Sequence, residues 1–364
     1  MIITRVDAFP LRIPFAPGSA SRAAGREDGT GVGSLLVRVA TDAGIEGWGE
    51  AFGLAALPVT RRAVEDLVSP LCIGQDAARA APLADELQRR LHAFGRGGPV
   101  THALSAVDIA LWDIAGKAAG LPVHRLLGGA AGSLPCYASL DPYGDPAAVG
   151  AGVRAAVDAG FTAVKLHERD LPAVRAARAE AGPLRALMLD VNCPWTLPEA
   201  VKRAALFRDL RLAWLEEPLW PPEDYAGLAE LRARCGIPLA AGENAATPLE
   251  FDRLMAAGAV DFVQPSPAKM GGVTALAAVF PLAAARGVTV MPHTFYHGPG
   301  LLAAIHVTAA LGTASSMIEW RLTDVESYPY GSAVRPVDGR LAVPQAPGLG
   351  IDPDPAVLRE FSGG

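Results

Sequence analysis

Leu187-Met-Leu-Asp-Val-Asn-Cys-Pro-Trp195 is an apolar run that ends abruptly in polar residues. Side chains alternate between the two faces of a strand, so Asp190 and Asn192 point to the same side. The pattern predicts a buried strand that carries a carboxylate at its carboxyl end. Two later apolar runs end in the same way, the first in Glu216 and the second in Glu243.

These three acids are evenly spaced, with 26 residues from the first to the second and 27 from the second to the third. The spacing continues in both directions, and each unit ends in a polar residue. The polar residues at the ends of successive units are Lys165, Asp190, Glu216, Glu243, Ser266, His293 and Glu319. Repeating βα units with polar residues at the carboxyl ends of the strands are typical of a (β/α)₈ barrel, whose active site lies at that face.

Eight strands can be counted after the first third of the chain, the number that a closed barrel requires. They are predicted near 135–139, 161–166, 185–190, 212–216, 238–242, 260–264, 288–292 and 316–319. The first third differs, because it alternates as strands at 2–14 and around a turn at 41–44, then shows helical spacing near 58–73, 76–93 and 99–119. We therefore expect an α+β region ahead of an α/β barrel.

Two segments lack a regular pattern. The Gly/Ala/Ser-rich segment 15–33 is long for a structureless loop, so we expect it to be disordered or to act as a lid. After residue 324 the chain becomes rich in Pro and Gly, with Arg340-Leu-Ala-Val343 as a candidate strand. We expect this tail to return to the N-terminal region.

The composition limits the classes of function. The 364-residue chain has a formal charge of −6 and no cluster of Lys or Arg, which argues against nucleic acids and anionic membranes as partners. The N-terminus lacks the features of a signal peptide and no run has the length of a membrane span, so we expect a cytoplasmic protein. The four scattered cysteines, at 72, 136, 193 and 235, are expected to be reduced and buried.

Asp190, Glu216 and Glu243 end neighbouring strands of the predicted barrel, so their carboxylates should converge. Three anions within a few Å repel one another unless a cation lies between them. Oxygen ligands with room for substrate and water favour Mg²⁺, or Mn²⁺, over zinc. The alternative is that each acid pairs with an arginine or lysine at the rim of the barrel. Glu217 points away from the side chain of Glu216 and is placed outside the site.

Lys165 and His167 lie two residues apart on one strand, and therefore on one face, beside the predicted metal. Either could accept a proton. A partly desolvated lysine near a cation has a lowered pKa, and histidine titrates near neutral pH without such help. The alternative is a structural role, with Lys165 paired to Asp190 and His167 hydrogen-bonded at the rim.

His293 ends a strand across the barrel from Lys165 and would face the opposite side of a bound ligand, as an acid, a base or a hydrogen-bonded rim residue. Ser266 could orient His293, bind substrate or only form a turn. Glu319 could bind a substrate carboxylate if protonated, pair with a cation, or be a plain rim acid. A divalent cation between bases on two faces favours removal of the α-proton of a carboxylate, with the metal stabilising the enediolate.

These motifs resemble those of the enolase superfamily, specifically its mandelate racemase/muconate lactonizing enzyme family, over nearly the whole chain. The segments that carry the resemblance are Ser105-Ala-Val-Asp-Ile-Ala-Leu-Trp-Asp-Ile-Ala-Gly-Lys117, Pro122-Val-His-Arg-Leu-Leu-Gly-Gly129, Asp190-Val-Asn192, Trp214-Leu-Glu-Glu-Pro218, Ala241-Gly-Glu-Asn244, Lys269-Met-Gly-Gly272 and Pro292-His293. The resemblance implies a modified (β/α)₈ TIM-type barrel at 126–324, under an α+β capping domain built from residues 1–125 and 325–364. It also implies a magnesium cofactor, a small carboxylate substrate and a homo-oligomer.

The resemblance also implies roles for individual residues. The matching positions are Asp190, Glu216 and Glu243 as magnesium ligands, Lys165 as the first catalytic lysine, His293 as the base of the opposite face and Glu319 as the acid that contacts the substrate carboxylate. The segment 15–33 matches the mobile segment that helps to select the substrate. From the sequence itself we also expect selectivity from the segment 51–57 and from substrate contacts at Asn192, Trp195, Ser266, Tyr296, His297 and Glu319.

Two positions depart from the family pattern. His167 stands in place of the second catalytic lysine, and Ser266 stands in place of the aspartate that pairs with the histidine. Without that partner His293 is expected to be a weak base, which disfavours racemisation, because racemisation needs a base on each face. We predict Mg²⁺-dependent dehydration of a sugar acid, an aldonate or aldarate, with His293 as the acid. The alternatives are racemisation or epimerisation, lactone cycloisomerisation, and an inactive barrel that binds metal and carboxylate.

Overall fold

The computed structural model describes residues 1–17, 19, 30–130 and 132–362. Its first layer is an antiparallel sheet in the order β1-β2-β3. The strands are β1 (Ile3–Pro14), β2 (Gly31–Thr41) and β3 (Glu46–Ala51). The predicted strand at 2–14 and the predicted hairpin are confirmed.

The predicted irregular segment 15–33 ends earlier than expected. Residues 18 and 20–29 lie outside the described residues, and so does most of the predicted lid. Gly31 pairs with Pro14 in the ladder between β1 and β2. Glycine fits at this position because a Cβ there would lie 2.3 Å from the carbonyl oxygen of Ile13. The small residues that suggested a loop therefore permit close contact between two strands.

Five helices follow this sheet. They are α1 (Leu57–Arg62), α2 (Ser69–Cys72), α3 (Ala80–Arg90), α4 (Gly98–Ala119) and α5 (Val123–Leu126), with a π-helical segment (Ala63–Val68) joining α1 to α2. Helix α4 packs closely on β3, because a Cβ on Gly49 would lie 1.8 Å from the carbonyl oxygen of Ala106. The helices predicted near 58–73, 76–93 and 99–119 are confirmed, the first as three consecutive segments.

The second layer is a curled parallel sheet of eight strands in the order β10-β9-β8-β7-β6-β5-β4-β11. The strands are β4 (Ser133–Leu140), β5 (Ala163–Leu166), β6 (Ala186–Asp190), β7 (Trp214–Glu216), β8 (Leu239–Ala241), β9 (Phe262–Val263), β10 (Thr289–Val290) and β11 (Ile318–Leu322). The eight strands predicted from the spacing are confirmed. At the two ends of the ladder, the Thr294 hydroxyl donates to the carbonyl oxygen of Glu319 at 2.6 Å, which draws the segment after β10 towards β11.

Helices alternate with these strands and cover their outer side. They are α6 (Pro146–Asp158), α7 (Leu171–Ala181), α8 (Leu197–Phe207), α9 (Tyr225–Cys235), α10 (Pro248–Ala256), α11 (Pro267–Met270), α12 (Gly272–Ala285) and α13 (Pro299–Leu311). The outward-facing side chains of the strands, such as Leu187 and Leu189, pack with these helices in the main core. The fold is therefore a TIM-type barrel with an antiparallel sheet beside it, as predicted.

Inside the curled sheet, a separate cluster fills the lower level. The ring of Trp214 lies 5.7 Å from that of Tyr137 and 5.0 Å from that of Phe262. Alternate residues share a face, so Asp190 and Glu216, two residues beyond the inner Met188 and Trp214, point inward at the next level. The packed cluster is therefore a floor beneath the polar strand ends.

The C-terminal tail contacts both layers. Strand β12 (Arg340–Ala342) pairs antiparallel with β4 of the barrel, and helix α14 (Pro355–Phe361) packs against the N-terminal sheet through Leu358 and Phe361. The candidate strand at 340–343 is confirmed. The division of the chain into a capping domain at 1–125 and 325–364 and a barrel domain at 126–324 stays a prediction.

Two sequence expectations concern membranes and cysteines. Among the described helices, none combines the length and the apolar character that a bilayer span requires. All four cysteines are free thiols, and Cys72, Cys136 and Cys235 are buried as predicted. Cys193 is only half-buried, because it follows the end of β6, where the chain turns out of the barrel and its sulfur lies 3.4 Å from Glu217 Oε2.

A buried pair of histidines joins α5 to α13. The Nδ1 atoms of His124 and His306 lie 3.2 Å apart, and His306 Nε2 lies 3.0 Å from the carbonyl oxygen of Leu349 in the tail. Burial lowers the pKa of His306 from 6.5 to about 4, so its ring is neutral in the folded protein at neutral pH.

We expect this burial to make stability depend on acid pH. The pKa of His306 is lower in the folded than in the unfolded state, so its contribution is complete above about pH 6.5 and is lost as the pH falls towards about 4. The loss is about 3 kcal/mol. Urea unfolding at about pH 7 and about pH 4 should show a smaller loss for His306→Gln than for the wild type, while His92→Gln on the surface behaves as wild type. Equal losses for all three proteins would contradict the assignment.

Candidate active site

The three predicted carboxylates converge at the carboxyl ends of neighbouring strands. Asp190 ends β6, Glu216 ends β7 and Glu243 follows β8 by two residues. One ligand oxygen from each side chain lies within 4.8 Å of the others, which confirms the predicted convergence. The indole N–H of Trp214 donates to Glu216 Oε2 at 2.8 Å, and the backbone N–H of Asn192 donates to Asp190 Oδ1 at 2.9 Å.

The charge of this cluster fits a divalent cation. Within the described part of the chain, the three carboxylates and that of Glu319 pair with the two ammonium groups of Lys165 and Lys269, which leaves two negative charges when all four acids are ionised. Burial, together with the charges of Asp190 and Glu319, raises the pKa of Glu216 well above its usual range. Buried anions of this kind need a cation, and an oxygen-only ligand set suits a hard one. Asp190, Glu216 and Glu243 could hold it.

Lys165 is fully buried and lies at the centre of the acids. Its Nζ lies 2.8 Å from Glu216 Oε1, 2.8 Å from Glu319 Oε1 and 3.5 Å from Asp190 Oδ2. A lowering of the Lys165 pKa by a neighbouring cation stays a prediction. Burial disfavours its ammonium form, but the charges of Glu216 and Glu319 outweigh burial and hold the pKa well above its usual range.

His167 faces Asp190 from the side of β5. Its Nδ1 lies 2.6 Å from the carbonyl oxygen of Leu140, and its Nε2 lies 3.2 Å from Asp190 Oδ2. A carbonyl oxygen only accepts hydrogen bonds, so Nδ1 carries a proton and donates it, and Nε2 is the nitrogen that faces the triad. Burial would raise the pKa of Asp190, but Lys165 and His167 hold it at about 2.

His293 faces the triad from the opposite side. Its Nε2 lies 3.0 Å from Glu243 Oε2, and its Nδ1 lies 3.2 Å from Ser266 Oγ. Ser266 also lies 3.1 Å from the hydroxyl of Tyr296, which in turn contacts the carbonyl oxygen of His293 at 3.2 Å. Of the predicted options for Ser266, the structure shows the contact that orients His293. Tyr296 supports this pair from behind, because its hydroxyl is engaged with neighbouring protein groups.

Glu319 lies between Lys165 and the segment after β10. Its Oε1 lies 2.8 Å from Lys165 Nζ, and its Oε2 accepts a hydrogen bond from the amide of Thr294 at 2.8 Å. Burial favours the neutral acid, but Lys165 and His293 hold the pKa of Glu319 below its usual value. Of the predicted options, pairing with a cation is therefore the one that the structure shows, and a protonated Glu319 is disfavoured in this state.

Trp195 and Asn192 follow the end of β6, where the backbone has positive φ values at Asn192 and Cys193. Trp195 is buried in the main core, and its segment forms a bridge to Leu219. The predicted substrate contacts of both residues stay predictions. Asn192 is half-buried at the rim, with a backbone φ of 51°.

Glu217 and Lys269, which the sequence reasoning left out, lie directly beside the triad. Lys269 Nζ is 3.5 Å from Glu243 Oε1, so this lysine is closer to the site than expected. Glu217 lies behind the triad and accepts a hydrogen bond from Asn244 Nδ2 at 2.8 Å. Burial and the charge of Glu243 raise the pKa of Glu217 to about 8. The motif that contains Lys269 was visible, but nothing in its spacing indicated the contact.

Phe295 is a further residue that the sequence reasoning missed. Its ring lies 5.1 Å from that of His167 and 6.5 Å from that of His293, and the guanidinium of Arg321 stacks on it at 4.1 Å. Arg321 in turn pairs with the buried Asp141 at 3.0 Å. Arg321 follows Glu319 by two residues on one strand, so the alternation of faces could have indicated it. Phe295 thus contributes an apolar wall near both histidines.

The chain matches two family models and a set of known proteins. Residues 148–357 match the model described as enolase C-terminal domain-like, and residues 29–128 match the mandelate racemase/muconate lactonizing enzyme N-terminal domain. D-galactarolactone cycloisomerase of Agrobacterium fabrum is 33% identical over 352 residues, which cover 90% of each chain. D-galactonate dehydratase of Verminephrobacter eiseniae is 33% identical over 360 residues, which cover 90% of this chain and 91% of the relative.

A solved structure gives the same result at the level of the fold. The mandelate racemase/muconate lactonizing protein from Paracoccus denitrificans complexed with magnesium has a TM-score of 0.85 at 31% identity, covering 99% of this chain and 97% of its own. Both family models together span the capping region and the barrel. The chain therefore belongs to the mandelate racemase/muconate lactonizing enzyme family of the enolase superfamily.

Proposed function

We propose that the protein is a Mg²⁺-dependent lyase that removes the α-proton of a sugar acid and eliminates its β-hydroxyl group. The observation that carries this proposal is the placement of two histidines on opposite sides of the carboxylate triad. His167 Nε2 lies 3.2 Å from Asp190, and His293 Nε2 lies 3.0 Å from Glu243. Each ring is held by a contact at its Nδ1, so each presents its Nε2 to a ligand held over the triad.

Mg²⁺ would be held by Asp190, Glu216 and Glu243, with Mn²⁺ as the alternative cation. Members of the superfamily bind Mg²⁺, and a relative of known structure is complexed with it. When bound, the cation supplies electrostatic stabilisation of the negative charge that develops on the substrate carboxylate during proton removal.

Lys165 and His167 are the proposed base. They share one face of the barrel, and both contact Asp190. The Nδ1 of His167 donates to the carbonyl of Leu140, so Nε2 would accept the substrate's proton after it exchanges its contact with Asp190 Oδ2 for the substrate. The charges of the surrounding acids stabilise the ammonium form of Lys165. Lys165 can therefore accept a proton only after a cation has offset those charges. Glu319 keeps Lys165 in place from the other side.

His293 is the proposed acid, which donates a proton to the departing hydroxyl group. The partner of its Nδ1 is the hydroxyl of Ser266, which carries no charge. A carboxylate at Nδ1 would stabilise the imidazolium and make His293 a stronger base, so the neutral hydroxyl suits an acid better. The carboxylate of Glu243 lies beside Nε2 instead and would be engaged by the proposed Mg²⁺. We therefore favour dehydration over racemisation.

Two relatives support the substrate class and keep one alternative open. The Verminephrobacter eiseniae relative is a D-galactonate dehydratase, and the Agrobacterium fabrum relative is a D-galactarolactone cycloisomerase. We propose an aldonate or aldarate substrate, with lactone cycloisomerisation and epimerisation as the alternative reactions. A barrel that binds metal and carboxylate without turnover is the remaining alternative. We also propose that the enzyme is a cytoplasmic homo-oligomer. Light scattering of the purified protein measures its oligomeric state.

The test is incubation of the enzyme and Mg²⁺ with a library of aldonates, aldarates and their lactones. Formation of a 2-keto-3-deoxy acid, detected by NMR and by trapping of the carbonyl group, supports dehydration. Accumulation of an epimer, or of the acid from a lactone, assigns the alternative reactions instead. A library without any product, tested with protein that binds Mg²⁺ tightly, contradicts an enzymatic function.

Replacing Ser266 by aspartate should strengthen His293 as a base. A carboxylate beside Nδ1 stabilises the imidazolium, so we expect exchange of the α-proton of the opposite epimer to rise about 10-fold. The measurement is deuterium uptake from D₂O by each of the two C2 epimers of one sugar acid. Ser266→Ala is the matched control and should not raise uptake. If Ser266→Asp and Ser266→Ala take up deuterium at the same rate, the lack of a carboxylate beside His293 does not decide between dehydration and racemisation.

A further inference from the structure

Gln264 lies inside the barrel near the triad, and none of the roles above involves it. Two residues before it, Phe262 packs on the ring of Trp214 in the interior cluster. Two residues after it, Ser266 contacts His293 with 3.2 Å between Oγ and Nδ1. Because alternate residues share a face, Gln264 points into the same interior, between the packed floor and His293.

The backbone of Gln264 holds this position beside the strand that leads to Glu243. Its amide donates to the carbonyl oxygen of Ala241 at 3.0 Å. Gly242 approaches it closely, since a Cβ at Gly242 would lie 3.0 Å from the nitrogen of Gln264. Gln264 is therefore fixed to the wall that carries one of the proposed metal ligands.

The carboxamide of Gln264 is buried and unpaired. Its exposed fraction is 0%, and neither Oε1 nor Nε2 has a hydrogen-bond partner among the described residues. Buried polar side chains nearly always have partners, because an unpaired buried amide costs free energy. An amide with unused donors and acceptors on the inner wall of a substrate site therefore points to a ligand group that completes its hydrogen bonds.

We propose that Gln264 is a substrate-binding residue that hydrogen-bonds a hydroxyl group of the sugar acid. A carboxamide both donates and accepts, and a hydroxyl group does the same. A carboxylate only accepts, and an apolar substituent does neither. The inference rests on the proposed function. It restricts the proposed substrates to sugar acids with a hydroxyl group that reaches Gln264 at the end of β9.

This pairing gives the site a means of discrimination. A buried group that expects a hydroxyl partner rejects an analogue without that hydroxyl, because the protein group then stays unpaired. Replacing the amide by an apolar side chain of similar shape removes this discrimination. The effect of the replacement must therefore depend on which hydroxyl groups the substrate carries.

The test compares the wild type with Gln264→Met on a sugar acid and on a set of its deoxy analogues, each lacking one hydroxyl group. We expect kcat/KM for the parent acid to fall about 100-fold, and kcat/KM for one deoxy analogue to change less than about 3-fold. Gln345→Met, at an exposed glutamine of the tail, is the matched control and should change neither value. Loss by the same factor for every acid, or no loss for any, would overturn the proposal.

A binding measurement separates this inference from the proposed reaction. With Mg²⁺ present, the parent acid should raise the Tm of the wild type more than that of Gln264→Met, whether or not turnover occurs. If the wild type binds sugar acids without turnover, the proposed reaction is wrong. The comparison of the two Tm shifts then still tests the role of Gln264. Equal shifts for both proteins overturn the inference even where turnover is observed. If Gln264→Met does not fold, Gln264→Asn, which keeps a shorter carboxamide, should show the same dependence on hydroxyl groups with a smaller loss.

Discussion

Replacing His293 by asparagine stops elimination of the β-hydroxyl group while exchange of the α-proton continues. General acid catalysis contributes about 10² to 10⁴ in rate, so we expect the elimination rate to fall about 10³-fold. The base on the other face, Lys165 with His167, is unchanged, and deuterium should therefore still enter the α position within about 10-fold of the wild-type rate. NMR in D₂O measures both processes in one sample, as loss of the α-proton signal and as appearance of the keto acid.

Asparagine is the chosen replacement because it is polar and does not titrate near neutral pH. His92→Asn, on the surface outside the barrel, is the control and should leave both rates unchanged. Elimination at the wild-type rate in His293→Asn would mean that another group is the acid. Loss of exchange together with elimination would mean that His293 is the base, which would reverse the assignment of the two faces.

Replacing Asp190 by asparagine should abolish turnover and weaken binding of Mg²⁺. A metal ion contributes several kcal/mol of charge stabilisation to the transition state, so we expect a rate loss of about 10³-fold or more. The same variant should be less stable than the wild type when no divalent cation is present, because Lys165 and His167 favour the ionised form of Asp190 in the folded protein. Calorimetric titration with Mg²⁺ and thermal unfolding in EDTA measure the two effects.

The loss of Mg²⁺ affinity distinguishes a metal ligand from a structural acid. If Asp190 served only as the ion-pair partner of Lys165, its replacement would destabilise the protein but leave its affinity for Mg²⁺ unchanged. Asp252→Asn, at a half-buried acid that pairs with Arg286, is the matched control and should change neither metal binding nor turnover.

Much of the fold follows from one periodic feature of the sequence. The regular distance between polar residues at the ends of apolar runs predicts eight parallel strands, because each βα unit has nearly constant length and side chains alternate along a strand. For the same reason the convergence of Asp190, Glu216 and Glu243 could be predicted. Each lies at or just beyond the carboxyl end of its strand, where the barrel brings neighbouring ends together.

The sequence does not predict contacts that depend on side-chain direction beyond a strand end. Trp195 lies only five residues after Asp190, but the positive φ values at Asn192 and Cys193 interrupt the alternation of the strand, and the indole packs in the main core. Lys269 lies within the short helix α11, and its long side chain reaches Glu243. Local turns decide both cases, and periodicity contains no information about them.

Protonation was also beyond the sequence reasoning. A lysine near a cation was expected to have a lowered pKa, but Lys165 also contacts three acids, whose combined charge outweighs burial and raises its pKa. The direction of the pKa shift depends on how many acids surround the ammonium group and on whether a cation also binds those acids. Only the three-dimensional arrangement supplies that count.

Removal of the α-proton of a sugar acid by the triad and the base beside it can be tested directly. The NMR signal of that proton is recorded in D₂O for the wild type with a library of aldonates and aldarates, once with Mg²⁺ and once with EDTA. We expect the α-proton signal of at least one acid to disappear with Mg²⁺ and to persist with EDTA. Persistence of the signal for every acid, in protein whose triad binds Mg²⁺ tightly, would contradict the proposed proton removal.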